Sequence, residues 1–438
     1  MPDRDSPSIV PKLPSELIDD IVDRALTVLD DQSLSSMALT TQHFRVKVNQ
    51  KRFSAVILDS IFGRNCSDLS NRLNCFAILV DGQRRLTPRM INVASFVNSF
   101  EFSMVPQEGE NPPFIDAAMT VLCNNLFRET PGYRPRTDEF TFKFEPWNHS
   151  YSDKHYHWET FRMAMRHAFV DLVRRSKLTS LQIAAICSMP VGALQGSKIK
   201  HLHLRQVSIN PSLDLSSPLL SPVILESLFL DGLVSYRTLC GLFCGRYDSA
   251  SNLFTRLTNL KVTLRAIDDV DTANQILTNA TSLDTLVFTR TVEEAQEGRM
   301  VHYGHLQRLR RLCIFPTSVN CFPMDRLLGD EVPESLLEIQ VLFSYYLTSA
   351  EVHDNMFPLI DFSYVDTHLS HRRYGSIRRF VITLHTVLGT GFNLTGLDLA
   401  TFGGICRDSV RDSLPRLCRA FSESLNIRID FIPSSSVS

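Results

Sequence analysis

Residues 13–53 read LPSELIDDIVDRALTVLDDQSLSSMALTTQHFRVKVNQKRF, and this stretch holds the densest apolar seam of the chain. Its first apolar residues follow Pro14 at steps of one, three and four positions, which places them on one broad helical face. They are Leu17, Ile18, Ile21, Val22, Ala25, Leu26 and Leu29. Pro14 suits the first turn of a helix, where a missing N–H costs nothing. The pattern therefore predicts an amphipathic helix from Pro14 to Leu29.

Two shorter helices are expected to follow. Asp30 and Asp31 interrupt the seam, and Ser33 is the predicted N-cap of the second helix. The inner residues of the second helix are Leu34, Met37, Ala38 and Thr41, and those of the third are Phe44, Val48 and Phe53. Three short helices cannot bury all of this apolar surface, because small domains bury a low fraction of their chain. Part of the surface is therefore expected to face a partner or the rest of the chain.

The order of residues in this unit resembles the F-box family. The residues that carry the resemblance are Leu13-Pro14, Glu16-Leu17, Ile18, Ile21, Leu26 or Leu29, Leu34, Ala38-Leu39 and Phe44-Arg45. Phe44 stands where the family frequently has tryptophan, so the aromatic ring is kept. The resemblance implies that these helices dock on the Skp-type adaptor of a cullin-RING ubiquitin ligase. The residues it assigns to adaptor binding are Leu13, Pro14, Leu17, Ile18, Ile21, Val22, Leu26 and Leu34. The alternative is that the helices only cap the domain that follows.

Composition and charge exclude several classes of protein. A hydrophobic content of 44% and a charged content of 21% are typical of a soluble globular protein with a sizeable core. The net charge of −2 argues against a nucleic-acid binder, which normally shows a basic excess, and against binding to a membrane surface. The first residues, MPDRDSPSIVPK, contain no apolar core of signal-peptide length, and no later run reaches membrane-spanning length. We therefore expect an intracellular protein, cytoplasmic or nuclear.

The ten cysteines include no C-x-x-C pair and show no regular spacing. This favours buried thiols in a reducing compartment over a disulfide framework. Cys240 and Cys244 lie four residues apart on a predicted apolar helix, which is more typical of small core residues than of metal ligands.

A short template, apolar-x-x-apolar-x-apolar, recurs through most of the chain. Its instances are Val97-Phe100-Phe102, Leu178-Leu181-Ile183, Ile199-Leu202-Leu204, Leu225-Leu228-Leu230, Leu257-Leu260-Val262, Leu283-Leu286-Phe288, Leu309-Leu312-Ile314, Leu336-Ile339-Val341 and Ile377-Phe380-Ile382, with a looser one at Phe140-Phe142-Phe144. The middle residues from 181 to 339 are separated by 21 to 32 positions, and most of these intervals match leucine-rich repeats, which span roughly 20 to 29 residues. Helical segments lie between the instances, so parallel strands with helical crossovers are predicted.

The repeat region resembles the leucine-rich-repeat half of fungal F-box proteins. The asparagine that usually follows the strand template is absent, with Val207 and Leu233 near its place in two repeats, so an irregular solenoid is expected. The predicted fold class is α/β, with a small N-terminal helical F-box unit followed by an irregular leucine-rich-repeat-like solenoid of parallel strands and helices. The predicted parts are a tail at 1–10, the helical unit at 11–58, a helical linker at 59–94, the solenoid at 95–432 and a tail at 433–438. An ordinary α/β domain with leucine-rich strands is the alternative.

Three helices within the later region are predicted in detail. Residues 114–127 and 158–173 show helical spacing, and a last helix at 405–424 should be kinked or split at Pro415, because proline cannot donate its backbone hydrogen bond. Residues 106–113, 130–138, 293–298 and 386–396 are predicted loops.

Chemistry-bearing residues are sparse. The stretch from His149 to His167 includes His155, His157 and Glu159, yet only His155 and Glu159 share a helical face, whereas zinc needs three or four converging ligands. Exposed histidines are therefore favoured, and no metal or cofactor is expected. Nucleotide-binding, nucleophile-elbow and zinc-protease motifs are absent from the sequence. A catalytic triad assembled only in three dimensions stays open.

Residues that alternate with the template should line the other face of the predicted sheet. They have mixed charge and include aromatics, as is typical of a protein-binding surface. The residues predicted to bind a target are His201, His203, Phe229, Lys261 and Arg311, and the loops at 106–113 and 386–396 are the second choice.

The leading hypothesis is a substrate-recognition subunit of an SCF-type ubiquitin ligase. Its F-box would bind the Skp-type adaptor, and through it a cullin-RING ligase, while the repeats bind a protein target. Such a receptor is not an enzyme, because it acts by bringing target and ubiquitin donor together. The alternatives are a non-catalytic leucine-rich-repeat scaffold without a ligase role and a hydrolase or other enzyme on an α/β fold.

Overall fold

The computed structural model describes residues 15–60, 66–85, 93–104, 113–127, 136–144, 156–175, 177–217, 220, 223–232, 234–244, 252–290, 300–316, 331–347, 362–371, 374–388 and 399–433. Both predicted tails, apart from residue 433, lie outside these ranges, as does the predicted loop at 293–298. The predicted loop at 106–113 also lies outside them except for Pro113, which begins a helix instead. Within these ranges, no helix is both long enough and apolar enough to cross a bilayer.

Three helices form the N-terminal helical unit: α1 (Ser15–Val28), α2 (Asp31–Thr40) and α3 (Gln42–Phe53). They pack around a small core made of Val22, Leu26, Leu34, Ala38 and Val48. The predicted N-cap of α2 was wrong. Asp30, not Ser33, caps the helix, because its carboxylate Oδ1 accepts a hydrogen bond from the Ser33 backbone N–H at 2.7 Å and the helix starts two residues earlier than Ser33.

Sixteen strands are described in the rest of the chain, and helices lie between some but not all of them. The first eight are β1 (Ala55–Asp59), β2 (Ser99–Met104), β3 (Glu139–Phe144), β4 (Tyr156–His157), β5 (Ser180–Ala184), β6 (Ile186–Cys187), β7 (Met189–Val191) and β8 (His201–Arg205). The remaining strands are β9 (Ile209–Asp214), β10 (Ser227–Asp231), β11 (Asn259–Leu264), β12 (Thr285–Arg290), β13 (Arg311–Pro316), β14 (Glu338–Leu347), β15 (Arg379–Leu388) and β16 (Leu425–Pro433).

Twelve of these strands form one parallel sheet in the order β1-β2-β3-β5-β8-β10-β11-β12-β13-β14-β15-β16. Each strand therefore pairs with the strands of the preceding and following repeat, as expected of a solenoid. The sheet also begins earlier than residue 95. Its first strand, β1, lies at the end of the helical unit predicted at 11–58 and pairs in parallel register with β2.

The prediction that the template residues form buried strands is confirmed for the four leucines Leu202, Leu228, Leu260 and Leu286. The register aligns the middle template residues of neighbouring strands, for example Leu202 with Leu228, Leu228 with Leu260, and Leu260 with Leu286. All four leucines are at most 2% exposed. They belong to a large core that runs through the sheet and the helices packed on it.

The helices of this region are α4 (Cys66–Arg85), α5 (Pro113–Leu126), α6 (Met163–Arg175), α7 (Tyr236–Cys244), α8 (Ile267–Asn279), α9 (Ser363–Leu369), α10 (Leu399–Asp412) and α11 (Pro415–Ala420). The predicted break at Pro415 is confirmed, since α10 ends and α11 begins around it. The predicted start of a helix at Trp158 was wrong. Trp158–Thr160 forms a 3-10 turn, and α6 begins only at Met163. The predicted loop at 386–396 also begins too early, because Thr386 is buried in β15.

Two small pairs of strands lie outside the main sheet, β4 with β6 and β7 with β9. The chain turns into them through Ala185, Ser188 and Gln206, which all have positive φ angles. Gly192, at φ +74°, follows β7, and a Cβ there would lie 2.6 Å from the Ser216 backbone nitrogen. This close approach requires glycine and fixes β7 against the segment after β9.

Candidate protein-binding surfaces

The residues that alternate with the template share one face of the sheet, which we call the polar face. Strand geometry sends successive side chains to opposite sides, so the buried template residues leave their neighbours on this face. Register places one row of them side by side across six strands. The row consists of Glu101, Thr141, Gln182, His203, Phe229 and Lys261.

A cluster of His203, Phe229 and Lys261 forms one end of this row, on β8, β10 and β11. The His203 and Phe229 rings are stacked, with centroids 3.9 Å apart and an interplanar angle of 17°. Lys261 Nζ lies 4.1 Å from the centroid of the Phe229 ring, a cation–π distance. Phe229 is thus held between a histidine and a lysine from the two neighbouring strands.

The surroundings of His203 disfavour its protonated, positively charged form. Burial lowers the pKa of His203 to about 4; Asp231 opposes this shift, and Lys143, Lys261 and Arg205 add to it. The buried Nε2 atom of His203 has no hydrogen-bond partner within the described part of the chain. Burial also lowers the pKa of Lys261, with Asp231 partly offsetting it. At neutral pH the imidazole is uncharged and packs as a flat ring.

Beside the cluster, one carboxylate is shared between two guanidinium groups. Asp231 Oδ2 lies 3.4 Å from Arg205 Nε, and Asp231 Oδ1 accepts a hydrogen bond from Arg265 Nη2 at 2.7 Å. All three side chains are 15–20% exposed. The trio therefore carries one more positive than negative charge, and Lys261 adds another.

The same arrangement recurs further along the sheet. Glu338 lies between Arg311 and Arg379, at 3.7 Å and 3.8 Å. Both arginine side chains are about half exposed, which leaves their remaining N–H groups accessible. The structure thus brings His203, Phe229 and Lys261 together, whereas Arg311 lies two strands beyond Lys261 and the exposed His201 lies two residues before His203 on β8.

The residues assigned to adaptor binding divide into three groups. Leu13 and Pro14 lie outside the described residues, and so do the side chains of Leu17 and Ile18. Val22, Leu26 and Leu34 are buried in the core of the helical unit, where they support the surface from within.

Ile21, in contrast, is 51% exposed. Sequence reasoning gave no contact role to Val28 and Leu39, which are 82% and 77% exposed. Leu39 is one of the residues that carry the F-box resemblance. The resemblance could therefore have indicated a contact role for Leu39.

Residues considered for metal binding or catalysis do not form a site in the described ranges. His149 and His155 lie outside them, and His157 and His167 are exposed. Among the described side chains, no group of three histidine, cysteine or acidic residues could hold a metal ion. Cys240 is fully buried in α7, and burial raises the pKa of its thiol to about 11, as suits a core residue.

No protein-family model matches the chain, and no curated protein matches its sequence. The class that the fold defines is an α/β protein with a twelve-stranded parallel sheet, an arrangement compatible with a solenoid-like fold.

Proposed function

We propose that this chain is the substrate-recognition subunit of an SCF-type cullin-RING ubiquitin ligase. The N-terminal helical unit binds the Skp-type adaptor, and the polar face of the sheet binds the protein target. The observation that carries the proposal is the exposure of Ile21, Val28 and Leu39 on a unit with its own core. Large apolar side chains left exposed are typical of an interaction site, whereas a helical cap would bury them.

The way the unit joins the sheet supports this division of roles. α3 contacts β1 and the 3-10 turn Val93–Phe96, and Phe53 at its end packs against the large core. The exposed apolar residues lie on α1 and α2. One chain can therefore hold adaptor and target at the same time, so proximity rather than bond chemistry is its contribution.

The charges of the polar face indicate what kind of target segment it binds. Asp231 and Glu338 are each flanked by two arginines, and Lys261 lies over an aromatic ring. The face is locally cationic although the whole chain carries a net charge of −2. An acidic segment of the target complements it, and opposite charges speed encounter and select the partner. Phe229 and the arginines belong to the residue types that dominate binding hot spots.

The test is reconstitution with a purified Skp-type adaptor, measured by co-elution in size-exclusion chromatography. The native chain should co-elute, and a double variant Ile21→Asp with Leu39→Asp should not, because two charges would be placed on the apolar surface. Ile78→Asp is the matched control, since Ile78 is an equally apolar residue on α4 that is 70% exposed. Failure of the native chain to co-elute, or co-elution of the double variant, would overturn the proposal and favour a scaffold without a ligase role.

A further inference from the structure

A cleft of about 460 Å³ lies on the helix side of the sheet, between α6 and β9. One wall consists of α6 residues spaced three and four apart, and the other is formed by Pro190 and residues 212–215, with Trp158 between them. The α6 residues are Met163, Arg166, His167, Val170, Asp171 and Arg174. Apart from Val170, which is also part of the core, they lie on the side of α6 opposite the core residues Met165, Phe169 and Leu172. The cleft is therefore separate from the polar face.

The inner part of the cleft is apolar and fixed in place. Trp158 is 2% exposed, and its ring packs edge-on against Phe161 and Phe169 at centroid distances of 6.0 Å and 5.4 Å. At the other extreme, Met163 is 66% and Leu215 is 42% exposed. The cleft therefore has large apolar side chains along its whole depth, from the buried Trp158 to the exposed Met163 and Leu215. Such an apolar lining is typical of small-molecule sites.

Two arginines supply the polar groups. Arg174 Nη2 donates to the carbonyl oxygens of Gly192 and Leu215, both at 2.7 Å, so its guanidinium is held rigidly across the two walls. The Nε atoms of Arg166 and Arg174 are buried and lack a hydrogen-bond partner within the described residues. A buried donor without an acceptor costs free energy, so the described residues leave these two guanidinium groups incompletely hydrogen-bonded.

The carboxylates of the lining contact other groups, although the charge of Asp171 also opposes the burial-driven lowering of the Arg174 pKa. Asp171 lies 3.4 Å from Arg175 Nη2, and Asp214 Oδ1 accepts a hydrogen bond from the Ser216 backbone N–H at 2.8 Å. They do not hydrogen-bond the Nε atoms of Arg166 and Arg174, because those atoms have no partner within the described residues.

We propose that this cleft binds a small amphipathic molecule with an apolar body and an oxyanion head group. The apolar body lies along Trp158 and Val170, and the oxyanion accepts hydrogen bonds from Arg166 and Arg174. The volume fits, since small-molecule sites span roughly 300 to 1,000 Å³. Hydrogen bonds between ions are stronger than neutral ones, so the head group decides the selectivity. This inference is independent of the ligase function.

The test uses the full chain and two probes that share one tail, dodecanoate and dodecyltrimethylammonium, below their critical micelle concentrations. Isothermal titration calorimetry should show dodecanoate binding, with the ammonium probe at least tenfold weaker. Inorganic phosphate alone should bind far more weakly than dodecanoate, because it lacks the apolar body. Equal affinity for the two amphiphiles, or for phosphate and dodecanoate, would overturn the proposal.

Variants locate the site. Arg166→Gln removes one charged donor and should weaken dodecanoate binding about tenfold. Lys198→Gln is the control, because it removes one exposed positive charge outside the cleft lining and should leave the affinity unchanged. Leu215→Trp fills the mouth of the cleft and should abolish binding. This second variant keeps the test decisive if Arg166→Gln does not fold. Native affinity in folded Arg166→Gln or Leu215→Trp would contradict the assignment.

Discussion

Buried aspartates connect segments that are distant in the sequence. Asp366 on α9 accepts hydrogen bonds from the backbone N–H groups of Leu417 at 2.7 Å and Arg416 at 3.2 Å, at the start of α11. Asp116 on α5 likewise accepts one from the Arg162 N–H at 2.9 Å, just before α6. Helix starts leave N–H groups without intrahelical acceptors, and these carboxylates supply them across about 50 residues of chain. Sequence reasoning could not find such partners, because they depend on the packing of separate repeats.

Replacing Asp366 with alanine should lower the free energy of unfolding by about 1–3 kcal/mol, because two N–H groups lose their acceptor in a buried place. Asp366→Asn keeps one acceptor oxygen and should cost less. Urea denaturation would measure both, with Asp408→Ala as the control, since Asp408 is exposed on α10. A native unfolding midpoint for Asp366→Ala would show that the carboxylate is not needed at the start of α11.

The burial of His203 in its stack with Phe229 predicts that the stability of the folded protein depends on pH. The folded-state pKa is about 4 and the ordinary value is 6.5, so the folded protein binds fewer protons between these values than the unfolded chain. The stability associated with neutral His203 is therefore present above pH 6.5 and is lost as the pH falls through this window towards 4. NMR titration of the imidazole should give a midpoint near 4.

A variant separates His203 from the other titrating groups. His203→Phe keeps a ring for stacking and should show a smaller loss of stability between pH 6.5 and pH 4 than the native chain. Gln182→Leu, a non-titrating change in the same row on the neighbouring strand, should keep the native slope. A native slope in His203→Phe would rule out the histidine as its source.

At the scale of elements, the repeating strands were predictable and the small ones were not. The template residues alternate with polar ones over five or six positions, and that pattern requires one buried face. Strands β4, β6 and β7 contain two or three residues, too few for a period, and they depend on the positive φ angles of Ala185, Ser188 and Gln206. His203 and Phe229 stack because the register of β8 and β10 places them side by side. The sequence does not give that register, so their stacking could not be predicted from it.

The N-terminal helical unit shows a second limit of the same kind. The apolar spacing correctly predicted the helix α1. The spacing alone, however, does not tell which of its apolar residues face the neighbouring helices. Val22 and Leu26 pack on α2 and α3, because Val48 and Leu34 complete their core. Ile21, one position away from Val22, is exposed instead.

Because this unit has a core separate from that of the sheet, its stability should be separable as well. Leu34→Ala is expected to cost about 2–5 kcal/mol, as for other buried leucines, and to release α1 to α3 while the sheet stays folded. Hydrogen exchange followed by mass spectrometry should show lost protection in residues 15–53 alone, together with lost adaptor binding. Lost protection throughout the sheet would instead mean that the two cores unfold as one.

At the scale of the whole molecule, repetition turns single side chains into a continuous surface. Every strand of the main sheet contributes to the polar face in register, whereas segments on the helix side differ from one repeat to the next. The face is locally cationic around Asp231 and Glu338, and Phe229 lies near its centre. If the proposed function holds, the target is bound on this face.

Phe229→Ala and Arg311→Ala should therefore each weaken target capture while leaving adaptor capture unchanged. Loss of a hot-spot aromatic costs at least about 2 kcal/mol, roughly a thirtyfold loss of affinity, and we expect Phe229 to be one. Arg311 is more exposed, so its loss should cost less and the cost should shrink as salt screens it. Arg407→Ala, which removes an exposed arginine on α10 rather than on the polar face, is the control. The candidate targets are the proteins that accumulate when the Ile21→Asp, Leu39→Asp double variant is expressed. The measurement is a quantitative pull-down of the adaptor and of these candidate targets by each variant. Full retention of those proteins by both variants would move target binding from the polar face to the loops at 106–113 or beyond β15.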